Sequence, residues 1–234
     1  LGCRVVLGGR HTGIGTYNAL VAFAEGAYLE LIGFYEPRAD HRWWAPLDKG
    51  GGLVDFCLQT DDLAGDVRAF RAAGVDLGEP EARNRKRPDG FEVRWVFALA
   101  REGQRGVAPF IIADETDRDE RVPRARSHPN EVTGIGTLTI AVADVATVEG
   151  WYARVLGRPG RAIERHELDA AGVRFQIGSH VLDLVTPKGP GAASLTEWLR
   201  ARGPSPYAAT LRTEGSGVGP LDESRTHGAR LSLV

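Results

Sequence analysis

A glutamate and a histidine near the start of the chain have the surroundings of acid–base groups. Glu30 stands between Leu29 and Leu31 in the segment AYLELIG, so strand alternation places it on the same face as Tyr28. A buried carboxylate needs a cation, an arginine or a proton, whereas a glutamate at a sheet rim pairs with a surface arginine. His11 lies in the glycine-rich loop GGRHTGIG, where a histidine is either a general base at the mouth of a site or simply solvated. Glu30 and His11 are therefore candidate catalytic residues, and Tyr28 is a candidate substrate-binding residue.

Two further polar side chains are candidates for substrate binding. Arg94 lies inside the strand-like run FEVRWVFALA, on the same face as Glu92, and a buried arginine pairs with a carboxylate or an anionic ligand. We expect Glu30 to be the protein partner of Arg94. Asn18, in the segment GTYNAL, is expected to make a polar contact with the substrate. The basic run RNRKR at 83–87 precedes a turn signal and is expected to be a solvated loop.

The composition of the chain excludes several classes of partner. The 234 residues carry 29 basic and 31 acidic side chains, so no net charge attracts nucleic acid or an anionic membrane. No apolar stretch reaches the roughly 18–20 residues needed to span a bilayer, and no signal peptide is recognisable, so we expect a cytoplasmic protein. Only three of the basic residues are lysine, an arginine bias typical of GC-rich bacterial genomes. The expected partner is a small-molecule ligand, bound by a monomer or a homodimer.

The chain contains repeated strand–helix units. In residues 53–74, the β-type run LVDFCLQT leads through two aspartates into the helical pattern LAGDVRAFRAA, which stops at Gly74. Residues 135–157 repeat this order with the run IGTLTIAV, Asp144 as the helix cap, and Gly157 as the stop. Strand-like segments follow each helix, which predicts βαβββ modules.

A longer period indicates that a pair of modules has been duplicated. The tripeptide LEL at 29–31 recurs as LDL at 182–184, and LQT at 58–60 recurs as LRT at 211–213, both 153 positions later. On this alignment the chain opens just after the first helix of its first module. We therefore expect a first module without its first strand and helix. The absence of methionine also indicates a piece of a longer translation product.

The duplication predicts two domains separated by a charged linker. Residues 1–127 form the first module pair and residues 128–234 form a second, degenerate pair. The segment DETDRDERVPRARSHPNE between them has alternating charges, two prolines and no apolar period, which is typical of a linker. The predicted fold class is α+β, with tandem βαβββ modules paired into two half-open β-bowls.

The modules and several segments resemble the vicinal oxygen chelate superfamily, which contains glyoxalases, bleomycin-resistance proteins and dioxygenases. The segments that carry the resemblance are GGRHTGIGTYNAL, AYLELIG, RPDGFEVRW, APFIIA and His128-Pro129-Asn130 before GIGTLTIAV. They are similar to the glyoxalase-like domain of the third glyoxalase group. The resemblance implies a bowl around a small molecule but does not imply one reaction, because the superfamily includes isomerases, lyases, dioxygenases and non-catalytic binding proteins.

The resemblance also implies which positions hold a metal. Superfamily ligands come from the first and fourth strands of each module, and these positions fall on Glu30 and Asp55. Asp55 stands where the metal enzymes have histidine or glutamine, and Tyr17 stands where many relatives have histidine, although its hydroxyl remains a candidate substrate contact. A divalent ion here would be Mg, Mn, Fe or Zn. The matching positions of the second bowl make no convincing metal site, which predicts a structural role for that bowl. These positions are Thr137, Asp183, Ala208 and a residue near Arg230.

These patterns support one leading hypothesis and two alternatives. The first is a divalent-metal-dependent enzyme of lyase, isomerase or dioxygenase type that acts on a small oxygenated molecule. The second is a metal-free protein of the bleomycin-resistance type that binds or sequesters a small molecule. The third is a hydrolase-like site built on His11 and Glu30 without metal.

Overall fold

The chain folds into two curled sheets of seven strands each, described by a computed structural model that covers residues 1–234. The first sheet contains β1 (Val6–His11), β2 (Thr16–Ala22), β3 (Tyr28–Phe34), β4 (Cys57–Gln59), β5 (Glu81–Lys86), β6 (Glu92–Ala98) and β7 (Phe110–Asp114). The second sheet contains β8 (Val132–Ala141), β9 (Arg161–Arg165), β10 (Ala170–Ile177), β11 (His180–Pro187), β12 (Ser205–Thr213), β13 (Gly219–Pro220) and β14 (Leu231–Leu233). Five helices accompany them: α1 (Trp44–Asp48), α2 (Leu63–Ala73), α3 (Arg118–Arg121), α4 (Val145–Leu156) and α5 (Ala193–Arg202). None of the helices is long and apolar enough to cross a bilayer.

The two main helices begin and end where their capping residues predict. The Asp62 carboxylate accepts a hydrogen bond from the Gly65 amide at the start of α2, and the helix ends at Gly74 with a φ of 100°. Asp144 caps α4 by accepting from the Ala146 amide, and that helix ends at Gly157 with a φ of 66°. The strand–cap–helix–stop pattern is thus present twice.

The second sheet has the strand order β13-β14-β12-β8-β11-β10-β9. The first strands of its two modules, β8 and β12, lie side by side at the centre, and each runs parallel to the fourth strand of its own module, β11 or β14. The third module of the chain is therefore a complete βαβββ unit. The fourth module lacks a helix between its first and later strands.

The first sheet has the order β3-β2-β1-β5-β6-β7-β4, which places different strands at its centre. Here β1 pairs with β5, with His11 opposite Arg85, so β3 and β4 become the two edges. The sheet curls until these edges face each other across one cavity. The fold class is therefore confirmed as α+β with paired modules, while the pairing of β1 with β5 was not predicted.

The core lies between the sheets and the two main helices. Val67 and Phe70 of α2 pack against the first sheet, and Val148 and Tyr152 of α4 pack against the second. Trp151 of α4 contacts both clusters, which joins the two halves. At about 25 cal/mol per Å² of apolar surface, this burial is the main stabilising contribution to the fold.

Candidate functional site

A cavity of about 1270 Å³ opens between the edge strands β3 and β4 of the first sheet. Most of its lining is hydrophobic, but a small group of polar side chains faces it from β3, from the segment around β4 and from α3. These side chains are Tyr28, Glu30, Asp55, Cys57 and Arg121. An apolar cavity with a few convergent polar groups is the usual form of a small-molecule site.

Glu30 is held by two neighbours on the inner face of the half-barrel. The Asn18 side-chain amide donates to Glu30 Oε1 at 2.7 Å, and His11 Nε2 lies 3.9 Å from the same oxygen. The Glu30 side chain is 29% exposed, whereas that of His11 is 7% exposed, so Glu30 faces the cavity and His11 lies behind it. Thr16 Oγ1 fixes the imidazole through a 2.8 Å hydrogen bond to His11 Nδ1. The structure therefore brings together three predicted site residues: His11, Asn18 and Glu30.

His11 is an uncharged imidazole near neutral pH. Burial lowers the pKa of His11 below its usual 6.5, the Arg85 charge lowers it further, and Glu30 opposes both effects. The edge of Trp95 packs against the ring with the centroids 5.9 Å apart. A buried neutral histidine of this kind can exchange a proton with an adjacent carboxyl group.

Tyr28 lies two residues before Glu30 on the same strand and on the same face. Arg121 donates to the Tyr28 hydroxyl oxygen at 2.7 Å, and Arg121 is itself paired with Asp114. Burial raises the pKa of Tyr28 above its usual 10, so its phenol keeps its proton and can donate it in a hydrogen bond. Burial also raises the pKa of the Cys57 thiol to about 11, which leaves Cys57 protonated and a poor nucleophile.

Arg85 is a site residue that the sequence analysis missed. The run at 83–87 is not a loop, because most of it forms β5, and the Arg85 side chain points into the half-barrel with 2% exposure. It donates to the carbonyl of Gly8 at 3.1 Å and to the carbonyl of Arg121, and it forms no salt bridge. Strand alternation in RNRKR could have identified the inward position of Arg85, but the high charge of the run favoured the prediction of a loop.

Asp55 is engaged by the protein and does not fit a metal site. Its Oδ2 accepts from Arg42 at 2.9 Å and from the Trp43 indole at 3.0 Å, and its Oδ1 accepts from the Phe56 amide at 3.0 Å. Burial raises the pKa of Asp55, and these same three partners oppose the rise. No group of three or more His, Cys, Asp or Glu side chains converges anywhere in the structure. The donor set of this chain therefore does not supply the three or four ligands that a divalent ion requires.

Two other predicted site residues, Arg94 and Tyr17, do not contact Glu30. Arg94 has a side chain that is 56% exposed, and its nearest carboxylates are those of Glu92 at 3.8 Å and Glu115 at 3.9 Å. The structure therefore does not bring Arg94 to Glu30. Tyr17 is 45% exposed on the face of β2 opposite to Asn18, and it lines the same cavity. Alternation explains both positions, because the residues on either side of each one are buried and face inward.

The second bowl is filled by protein side chains. Asp183 has no exposed surface and accepts two hydrogen bonds from Arg174, at 2.6 and 2.7 Å, and one from Arg165 at 2.8 Å. Leu195 and Trp198 of α5 pack into a buried cluster with the central strands. Ion pairs thus occupy the Asp183 carboxylate, and α5 covers the central strands of this sheet.

Paired βαβββ modules that curl around a small-molecule cavity define a protein of the vicinal oxygen chelate superfamily. Within it, the family model described as a glyoxalase-like domain matches residues 1–156, and the chain belongs to this family. No curated protein matches the chain significantly.

Several solved structures are similar to this chain at low sequence identity. A hypothetical protein from Staphylococcus aureus is 13% identical, with a TM-score of 0.70, and the match covers 99% of this chain and 90% of that one. Methylmalonyl-CoA epimerase from Mycobacterium tuberculosis is 18% identical over 45% of this chain and 89% of its own, with a TM-score of 0.40. A variant of the Streptomyces coelicolor epimerase, in complex with 2-nitronate-propionyl-CoA, is 16% identical over 44% of this chain and 96% of its own, with a TM-score of 0.39.

Proposed function

We propose that this protein is an enzyme that binds a small carbonyl compound in the first half-barrel and moves a proton on the carbon next to the carbonyl group. The observation that carries the proposal is the placement of Glu30 and Tyr28 on one face of β3. One is a proton acceptor and the other a hydrogen-bond donor, and both face the cavity. A base and an oxyanion donor at this spacing are the two groups that enolisation requires.

The proposed step balances without any further reactant. The substrate C–H proton passes to the Glu30 carboxylate, and the electron pair moves onto the carbonyl oxygen to form an enolate. The Tyr28 hydroxyl donates to that oxygen, and its Arg121 contact stabilises the developing negative charge. Exchange of the Glu30 proton with solvent, followed by its return to the same face of the carbon, completes a hydrogen exchange at this position.

Asn18 and His11 act as positioning residues in this proposal. The Asn18 amide fixes Oε1 of Glu30, and Glu30 Oε2 accepts no hydrogen bond from the protein. His11 faces the fixed oxygen from behind, and burial lowers the pKa of its imidazole below the usual 6.5. Preorganisation of this kind removes the need to reorient the carboxylate during proton transfer.

Deuterium exchange tests the proposal directly. The protein is incubated in D₂O with a panel of small 2-oxo acids, hydroxy ketones and acyl thioesters, and NMR follows the exchange of protons next to each carbonyl. We expect at least one compound to exchange, and Glu30→Gln to slow that exchange by roughly 10²–10⁴-fold, since this is the usual contribution of a general base. Glu92→Gln is the matched control, because its side chain is 55% exposed on the outer face of β6. Equal exchange rates in Glu30→Gln and the wild-type protein would contradict the assignment.

A second function, metal-free binding without chemistry, is favoured by the largely hydrophobic lining of the cavity. In that case, a ligand would raise the Tm of the wild-type protein and of Glu30→Gln equally, and no compound in the panel would exchange. The same set of experiments therefore separates an enzyme from a binding protein.

A further inference from the structure

We propose that the substrate of the first half-barrel is a 2-oxo acid, whose carboxylate pairs with Arg118 while its carbonyl oxygen lies at Tyr28. This assignment rests on the proposed function and names the class of carbonyl compound for the same site. Two observations carry it. The charges around Tyr28 do not balance, and the groups along β3 follow one another in the same order as the groups of a 2-oxo acid.

Positive charge exceeds negative charge around Glu30 and Tyr28. The charged side chains there are three arginines and two carboxylates: Arg85, Arg118, Arg121, Glu30 and Asp114. Burial lowers the pKa of Arg85 and the Glu30 charge opposes this, so the two groups lie within range of each other. Arginine stays charged in proteins, which leaves one positive charge in excess when Glu30 is ionised. A charge shielded from water needs an opposite charge, so the half-barrel favours a ligand with a single negative charge.

Arg118 is the arginine whose donors are least used. Its Nη2 donates to the Gly26 carbonyl at 2.7 Å. Its Nη1 lies 3.6 Å from Asp114 Oδ2 and donates to no acceptor, although this atom is enclosed. Both oxygens of Asp114 accept from Arg121 instead. Since Arg118 lines the cavity with 27% of its side chain exposed, a ligand carboxylate can supply the acceptor that the protein does not.

The three groups follow one another along the edge of the half-barrel. Gly26, which holds Arg118, precedes Tyr28 by two residues, and Tyr28 precedes Glu30 by two residues. In a 2-oxo acid, the carboxylate is bonded to the carbonyl carbon, and the exchangeable C–H lies on the other side of that carbon. A carboxylate at Arg118 and a carbonyl oxygen at Tyr28 would therefore direct the C–H toward Glu30.

A phosphate ester fits this site less well than a carboxylate. Its charge of about −1.5 to −2 near pH 7 exceeds the single positive charge in excess. The Asp114 carboxylate, 3.6 Å from Arg118, would also repel a dianion more strongly than a monoanion. The largely hydrophobic lining of the cavity suits the apolar side chain of the acid.

Binding of phenylglyoxylate and of its uncharged methyl ester, measured by isothermal titration calorimetry, tests the inference. Phenylglyoxylate is a 2-oxo acid without a C–H next to the carbonyl, so its binding is independent of proton transfer. We expect the acid to bind at least about 10-fold more tightly than the ester. Arg118→Gln should weaken binding of the acid by about 10–100-fold and leave that of the ester unchanged, since this is the usual strength of a hydrogen bond to a charged group.

Two further variants control for effects on the fold. Arg124→Gln removes a nearby arginine whose side chain is 72% exposed, and it should not change the affinity for the acid. Arg118→Lys keeps the charge but loses the fork of donors, so its affinity for the acid should lie between those of the wild-type protein and Arg118→Gln.

Three results would overturn the inference. They are equal binding of acid and ester by the wild-type protein, no binding of the acid at millimolar concentration, and an unchanged affinity for the acid in Arg118→Gln. The first two need no variant, so they decide the question even if Arg118→Gln fails to fold.

Deuterium exchange of 2-oxobutanoate separates this inference from the proposed function. If phenylglyoxylate binds through Arg118 but 2-oxobutanoate does not exchange, the chemistry assigned to Glu30 is wrong and the ligand class stands. If uncharged hydroxy ketones exchange through Glu30 while the acid has no advantage over its ester, the chemistry stands and the ligand class is wrong.

Discussion

Replacement of Asp55 by asparagine separates a structural role for this residue from a metal-binding role. Asparagine keeps the shape of the side chain and retains one acceptor oxygen for the Phe56 amide. Its NH₂ group then replaces the Oδ2 atom that accepts from Arg42 and from the Trp43 indole. Two donors lose their acceptor, and the Arg42 charge loses its partner.

The expected loss of stability follows from the burial of the Asp55–Arg42 ion pair. The Asp55 side chain is 4% exposed and that of Arg42 is 16% exposed. Breaking a buried ion pair by removing one partner costs about 3–5 kcal/mol, and the lower end applies here because the Arg42 side chain keeps some contact with solvent. In a protein of this size, each kcal/mol lowers the Tm by about 2–4 °C, so Asp55→Asn should lower the Tm by about 6–12 °C.

The assay is thermal unfolding combined with elemental analysis of the purified protein. Asp40→Asn is the matched control, because Asp40 lies before helix α1, as Arg42 does, and its side chain is 72% exposed. The double variant Arg42→Met with Asp55→Asn should cost less than the sum of the single changes, since the pair is broken only once. Loss of a bound divalent ion in Asp55→Asn, with an unchanged Tm of the metal-stripped protein, would refute the structural role and identify a ligand.

Three further predictions concern residues around the cavity. Burial lowers the pKa of His11 in the folded protein below 6.5, so the stabilising contribution of the neutral imidazole is complete above pH 6.5 and is lost as the pH falls through the lowered pKa. His11→Gln should therefore flatten the dependence of the unfolding free energy on pH below 6.5. A Cβ at Gly8 would lie 2.0 Å from Asn18 Oδ1, so Gly8→Ala should cost about 1–3 kcal/mol in chemical denaturation, whereas Gly103→Ala, which meets nothing within 4 Å, should not. Arg94→Ala should change the unfolding free energy by less than about 0.5 kcal/mol, and a larger loss would contradict its placement on the surface.

Several elements follow from local sequence alone. Asp62 and Gly74 bound α2, and Asp144 and Gly157 bound α4, because capping depends on residues within one or two turns of the helix end. Strands β5 and β9 were harder to recognise, since EARNRK and RAIER are highly charged and have no apolar alternation. Their strand conformation is decided by pairing with neighbouring strands.

The candidate site was predictable only in part. Alternation within β3 places Glu30 and Tyr28 on one face, and the sequence analysis named both residues. It also named Asn18 and His11, which the structure brings to Glu30. Arg121 and the partners of Asp55 come from segments that carry no recognisable pattern.

The order of the modules, the ends of the main helices and the relative facing of neighbouring residues in each strand follow from the amino-acid sequence. Long-range strand pairing selects which face of a strand lies inside. A period of two residues gives two opposite faces, and the pairing of β1 with β5 turns Arg85 inward, while Arg94 on β6 faces solvent. The same holds for Asp55, whose role depends on Arg42, thirteen residues away in a segment without strand or helix periodicity. Long-range pairing selects among the arrangements that local rules leave open, because burial of apolar surface is a property of the whole sheet.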